Sequence, residues 1–378
     1  MFKKIQFIVW IVGFVALAAT VSSIYATIAQ QMLNLPDTGQ TISYTNTFGE
    51  DSDYSINPPT YTDNGDTVTD EVTGLIWQKN EVLTTTTNVA ANAYCDTLSL
   101  GSYSDWRLPA SHELYSLVDF STSNPPLNST TFTNTVSADY WWSSTQKADG
   151  TSNYWAVNSG GGLGPKPESE AQTHDFYVRC VRDDLSSAVS PSFTDNGDET
   201  VTENNTSLMW QQDGTSSMTW EAALTQCEDL TLAGYEDWRL PNIKEIRSIS
   251  DDDNLYHPSV STTYFTLTET YSKTTTIYWS STTRENKTTQ AWFVDFYYGL
   301  VSHENKTDTG YVLCVRSAST SSTEIKIYLP LIIKSASTVT ADFTLTSSVV
   351  SDRELLDAYK HEKDLLNAWQ IQRVSKSR

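Results

Sequence analysis

Chemistry in this chain would have to come from a few side chains at recognisable spacings. Asp63, Asn64 and Asp66, and again Asp195, Asn196 and Asp198, gather oxygen ligands in the run Thr-Asp-Asn-Gly-Asp, in the style of a calcium loop. The glutamate that ends a full calcium loop is absent. The same run is also a hairpin signal, because Asn-Gly supplies the positive φ of a tight turn and Thr-Val-Thr continues as a strand. A plain hairpin and a calcium site are both open readings. The five histidines, at 112, 174, 257, 303 and 361, are scattered, so no Cys/His metal spacing arises. No Ser-His-Asp signature, paired-carboxylate motif or nucleotide loop stands out. The glycine run at 160–164 is followed by no Gly-Lys-Ser/Thr and opens no helix, so it reads as a flexible loop. The expected chemistry is binding, not catalysis, with calcium the one cofactor in view.

The elements that would position these residues occur twice. Asp-Trp-Arg-Leu-Pro at 105–109 returns at 237–241. Around it both copies keep the same order: Thr-Asp-Asn-Gly-Asp (62–66; 194–198), Trp-Gln (77–78; 210–211), a cysteine (Cys95; Cys227), the anchor, Trp-Ser-Ser-Thr (142–145; 279–282) and Cys-Val-Arg (180–182; 314–316). The fold question reduces to one unit of about 125 residues, a normal domain size. The divisions are 1–29, 30–60, 61–183, 184–192, 193–317 and 318–378.

Each copy holds two cysteines, Cys95 with Cys180 and Cys227 with Cys314, at separations of 85 and 87 residues. The matched spacing favours one bridge inside each copy, which would stabilise it by roughly 2–5 kcal/mol, over the two cross-repeat connectivities and over four buried free thiols. Bridges require export. Two lysines followed by an apolar run over 5–19 make 1–29 a secretory signal or a retained N-terminal anchor, the latter giving the only membrane contact expected.

Of the 378 residues, 12 are Trp and 20 Tyr, enough for real cores and for stacking on a ligand, while the formal charge is −22. Basic residues form no run outside the termini, which excludes nucleic acids and anionic membranes held by a basic patch. Neutral glycans, cations and proteins remain as partners.

Along the chain, 30–60 is rich in Thr, Ser, Asn, Asp and Pro and reads as a linker or loosely ordered arm, and 184–192 as a second linker. Ala222, Ala223, Leu224, Cys227 and Leu230 recur at helical spacing behind Thr219, a candidate cap, and put Cys227 on the buried face. A second helix follows each anchor, over 110–118 and 242–249. Trp and Leu of the anchor should fill core, while Arg107 and Arg239 should pair with a nearby acid. The rest of each copy is strand material. The tail, 318–378, offers a polar linker, an apolar strand-like segment at 325–334 and a helix opened by a capping box at 351–354. That helix either packs on its own domains or takes a protein partner through 325–374.

This order of hairpin, cysteine helix, Trp-Arg-Leu-Pro helix, Trp-Ser-Ser-Thr and closing Cys-Val-Arg resembles the C-terminal domain family of the Legionella collagen-like adhesin (Lcl), over 61–182 and 193–316. That family is similar to the C-type lectin and formylglycine-generating-enzyme folds. The resemblance implies an α+β fold: two tandem C-type-lectin-like domains, each with a small antiparallel sheet, two helices and one disulfide. It implies an exported or cell-surface adhesin that binds a carbohydrate or another surface ligand. By analogy with lectin folds the ligand face lies between the Trp-Ser-Ser-Thr strand and the last strand, making Trp142, Trp279, Arg284 and Trp292 the candidates, with core packing the alternative for Trp142 and Trp279. A structural or interaction module acting through the tail, and a divergent enzyme, are the other function classes.

Overall fold

The computed structural model describes residues 35–81, 86–124, 126–132, 139–183, 191–252, 258–267 and 277–317, with strand residues 325–326 and 344–345. The first copy runs β1 (Tyr61–Asp63), β2 (Thr67–Asp70), β3 (Ile76–Gln78), α1 (Asn88–Thr97), α2 (Ser111–Ser116), β4 (Tyr140–Gln146), β5 (Asn153–Asn158), β6 (Leu163–Pro167), β7 (Phe176–Tyr177) and β8 (Val181–Arg182). The second runs β9 (Phe193–Asp195), β10 (Thr200–Glu203), β11 (Leu208–Gln211), β12 (Met218–Thr219), α3 (Trp220–Glu228), α4 (Ile243–Ser248), β13 (Ile277–Thr283), β14 (Gln290–Asp295), β15 (Leu300–Asn305), β16 (Thr309–Gly310) and β17 (Val315–Ser317).

Local chemistry explains the elements. The hairpins β1–β2 and β9–β10 form as the Asn-Gly signal predicts, with Gly65 and Gly197 at positive φ. Thr87 caps α1 by accepting from the Ala90 amide, and Asn242 caps α4 while Glu245 reaches back to the Asn242 amide at 2.9 Å. Thr219 occupies the cap position of α3, but its side chain makes no capping bond. The helices bury Ala91 and Cys95, and Ala223, Leu224 and Cys227, on one face each, as the spacing requires.

The anchor motif fastens helix to sheet. Arg107 donates two 2.6 Å bonds to Glu113 at the start of α2, and Arg239 does the same to Glu245. The backbones of Arg107 and Arg239 exchange paired bonds with Val181 and Val315 at 2.9 Å. One residue before each of those valines, Cys180 is bridged to Cys95 and Cys314 to Cys227, so both expected disulfides form and no cysteine is free. Trp106, Leu108, Trp238 and Leu240 are buried.

The two copies are not separate beads. Val301 of β15 pairs with Leu163 of β6, joining one seven-stranded sheet in the order β13-β14-β15-β6-β5-β4-β7. Because β6 and β15 are equivalent strands, the junction is quasi-twofold. The sheet is antiparallel except where β7 lies parallel to β4. One apolar cluster serves both copies, drawing Leu114, Val118, Phe120 and Trp155 from the first and Ile243, Ile246, Ile249 and Trp292 from the second. The expectation of two small independent sheets is thus corrected: each copy keeps a four-stranded sheet of its own, the second adds the β12–β16 pair, and the seven-stranded sheet is shared.

The segment 30–60 is corrected too, from residue 35 onward. Its polar residues are consumed at the junction. Asp51, 3% exposed, accepts from Thr38 and Thr282 at 2.7 Å each. Gln40 bonds to the carbonyls of Phe120 in the first copy and Thr283 in the second, and Lys244 donates to the carbonyls of Asp37 and Ser116 at 2.8 Å. A Ser/Thr/Asp-rich composition resembles a linker, but here those hydroxyls and carboxylates satisfy buried backbone groups of both copies.

Residues to Ser317 form one compact unit, and residues from Ala318 a second. In the second, β18 (Ile325–Lys326) pairs antiparallel with β19 (Thr344–Leu345). The signal or anchor at 1–29, the linker at 184–190, the rest of 325–334 and the tail helix lie outside the described residues. Among the described residues no helix is long and apolar enough to cross a membrane.

Candidate binding site between the repeats

At the junction two four-residue loops stand in equivalent places. Between β5 and β6 the loop is Ser159, Gly160, Gly161 and Gly162; between β14 and β15 it is Phe296, Tyr297, Tyr298 and Gly299. Both are organised by the residue before them: Asn158 Oδ1 accepts from the Gly160 and Gly162 amides at 2.9 and 3.0 Å, and Asp295 Oδ1 from the Tyr297 amide at 2.8 Å. The glycine run is therefore not a flexible loop. A Cβ on Gly162 would stand 2.6 Å from the Asn158 amide nitrogen and 3.2 Å from the Val301 carbonyl, and Gly161 has φ 93° with Phe120 and Trp292 against it.

Where the glycines omit side chains, a pocket of about 370 Å³ opens, bounded by Asn124, Asn158, Ser159, Gly160 and Gly162 of the first repeat and Arg284, Asn286, Trp292, Val301, Ser302 and His303 of the second. At the other end of the quasi-twofold the tyrosine loop fills the space. Lys147, the counterpart of Arg284, lies 5.9 Å above the Tyr298 ring and pairs with Asp149 at 2.5 Å; Lys166, the counterpart of His303, lies 4.5 Å above Tyr140 and pairs with Glu170 at 3.3 Å. The same junction is filled and neutralised at one end and open at the other.

Arg284 directly follows β13, and its turn closes through Arg284 N to Gln290 O at 3.0 Å. Its Nη1 donates to Gln290 Oε1 at 2.8 Å, while the buried Nε has no protein partner. Trp292 and His303 face one another across β14 and β15 with ring centroids 5.4 Å apart, and Trp292 packs edge-on to Phe120 at 5.3 Å. His303 Nδ1 is likewise buried without a partner. Burial first, and then the charge of Arg284, holds the His303 pKa below its ordinary value, so the imidazole is neutral at neutral pH. Of the lining residues none is acidic, although the chain carries −22.

The structure therefore brings Arg284 and Trp292 together as the sequence reading proposed. It corrects Trp142 and Trp279. Both are 0% exposed, with their indole nitrogens donating to the Thr86 carbonyl at 2.8 Å and the Met218 carbonyl at 3.1 Å, and Trp142 stacks on Phe176 at 4.0 Å. They face inward against the disulfide-bearing helices and present no surface to a ligand. Trp292 is itself only 3% exposed and serves as the pocket floor.

The proposed calcium ligands do not converge. Asp63 accepts from Lys79 at 2.6 Å and from the Gly65 amide, Asn64 bonds to Thr69, Asn196 to Thr200 and Thr202, Asp195 to the Gly197 amide and Asp198 to Thr200. Asp66 is exposed at the turn. Those oxygens are occupied in forming turns. Among the described residues no group of three or more His, Cys, Asp or Glu could hold a metal ion, and both runs form the expected hairpins.

His303, Asn124 and Asn158 were not singled out from the sequence. Their signal was present in the contrast between Gly-Gly-Gly and Tyr-Tyr-Gly at the same place in two otherwise parallel repeats.

A family model described as the Lcl C-terminal domain matches residues 66–182 and again 199–316. No curated protein matches the chain.

Proposed function

The chain belongs to the Lcl C-terminal domain family, and from that premise we propose that it is an exported adhesin-type surface protein that binds a saccharide without transforming it. One observation carries this reading: two repeats combine to build one open pocket, lined by an arginine, a histidine, amides and the edge of a tryptophan, at the junction. Such a mixture of a few convergent polar groups over an aromatic floor suits sugar hydroxyls, and about 370 Å³ is room for one or two sugar rings. The two disulfides fit an oxidising, extracellular setting. The fold of each repeat is proposed to be C-type-lectin-like. Nucleic acid is not a proposed partner, given the charge of −22.

A glycan-array screen of residues 30–378, with calcium and with a chelator, tests the proposal. Binding to a defined glycan class, retained in chelator, is the expected result. An array with no bound glycan in either condition would refute it and return attention to a protein partner of the tail.

A further inference from the structure

We propose that the saccharide taken by the junction pocket is an acidic sugar whose carboxylate is held by Arg284. This rests on the saccharide reading above and narrows it to a ligand class.

Arg107 pairs with Glu113 and Asp183, Arg179 with Glu81, Arg182 with Asp105, Arg239 with Glu245, Arg247 with Asp252 and Arg316 with Asp237. Among the described residues Arg284 is the exception, an arginine with no carboxylate, in a chain with 46 acids against 24 lysines and arginines. A part-buried guanidinium with no carboxylate beside it favours an anion that supplies the counter-charge. The contrast with the equivalent position sharpens the point, since Lys147 there has its own Asp149.

The surroundings select the kind of anion. Arg284 presents a planar donor edge, the geometry that matches a carboxylate, and one of its nitrogens is already fixed by Gln290. His303 beside it is neutral at neutral pH, so it offers a hydrogen bond to a hydroxyl and adds no second charge. The charged groups that bear on His303 are Arg284, Lys287 and Glu304, a small local excess of one positive charge. A densely sulfated polymer would bring many negative charges to an acidic protein whose pocket offers one arginine to receive them. One carboxylate on one sugar ring is the better match in charge and in size.

The test is calorimetric titration of the full chain with tri-galacturonate, with its carboxyl-reduced neutral counterpart and with a sulfated galactose trisaccharide. The expected result is that tri-galacturonate binds at least about tenfold more tightly than the other two, and that in Arg284→Gln this preference is gone, the acidic and reduced compounds binding within about twofold of one another. Equal binding of the acidic and reduced compounds, or preference for the sulfated one, would overturn the carboxylate assignment and leave the saccharide reading standing. If none of the three binds and the glycan array is also blank, both fall. Gly160→Tyr, which places a bulky side chain in the pocket, should abolish binding of tri-galacturonate; unchanged binding would place the carboxylate elsewhere and overturn the proposal.

Discussion

Replacing Asp51 by asparagine should leave the protein close to wild type in stability at pH 4 and make it markedly more stable at pH 8. Asp51 is buried inside the junction, where it accepts from two hydroxyls, Thr38 and Thr282, at 2.7 Å. Burial first, and then the nearby Asp37 charge, pushes its pKa up from 3.8 to about 7. The folded state therefore holds this proton more tightly than the unfolded state. The stabilising contribution is complete below the unfolded value and is lost as pH rises toward 7. A rise from 3.8 to about 7 corresponds to about 4 kcal/mol. Asparagine carries no charge at any pH, so unfolding free energy, variant minus wild type, should climb by about 4 kcal/mol between pH 4 and pH 8. Weaker hydroxyl bonds to the amide subtract about 1 kcal/mol at both ends. His112, pushed down to about 4 by burial and then by Arg247, titrates in the same window with the opposite sign, while Lys244 and Lys306, lowered to about 8 chiefly by burial, titrate above it. The His112 and Lys306 contributions cancel in the difference, whereas that of Lys244, raised in part by the Asp51 charge, does not cancel fully. Urea denaturation of both proteins at pH 4, 6 and 8 reads it directly. A difference that does not vary with pH would mean that Asp51 is ionised without penalty and that residues 35–57 are not buried in solution.

Trp142→Phe should cost about 1–3 kcal/mol, because the indole bond to the Thr86 carbonyl is lost in a closed core, and should leave ligand affinity unchanged; a weakened affinity without lost stability would restore Trp142 to the binding face. Removing the first bridge with Cys95→Ser and Cys180→Ser opens a loop of 85 residues and should lower stability by about 4–5 kcal/mol in thermal or denaturant unfolding. An unaffected Tm would mean the bridge constrains little. A protein carrying Arg107→Gln should lose stability, through the stranded Glu113 and Asp183 carboxylates, while keeping its ligand affinity; a selective loss of binding would put that arginine in the site.

Much of each repeat was legible because its signals are local. Asn-Gly fixes a hairpin whatever surrounds it, a cysteine three or four residues from alanine marks a helix face, and the matched cysteine spacing anticipated both bridges. Arg107 and Arg239 were expected to find acids, and Glu113 and Glu245 lie one helical turn inside. What the sequence hid was long-range. Thr38, Gln40 and Asp51 look like linker residues until they meet Thr282, Phe120 and Thr283, up to 243 positions away. Trp142 and Trp279 were offered as ligand contacts because tryptophan serves both cores and binding sites, and only their position on the inward face of β4 and β13 decides which. The glycines at 160–162 read as slack because nothing local shows that Val301 and Trp292 will close on them. Arg284 and Trp292 were found, but His303 completes the pocket from a strand whose pairing the sequence does not reveal.

The open end of the junction is the proposed binding site. Binding of an array-identified glycan to the wild-type chain and to Gly160→Tyr, measured by calorimetry with a parallel melting curve, tests it most directly. A Cβ at Gly160 meets nothing closer than 3.4 Å, so the variant should melt at the wild-type temperature. The account predicts that it binds no measurable glycan. Undiminished affinity in a protein that melts normally would contradict it.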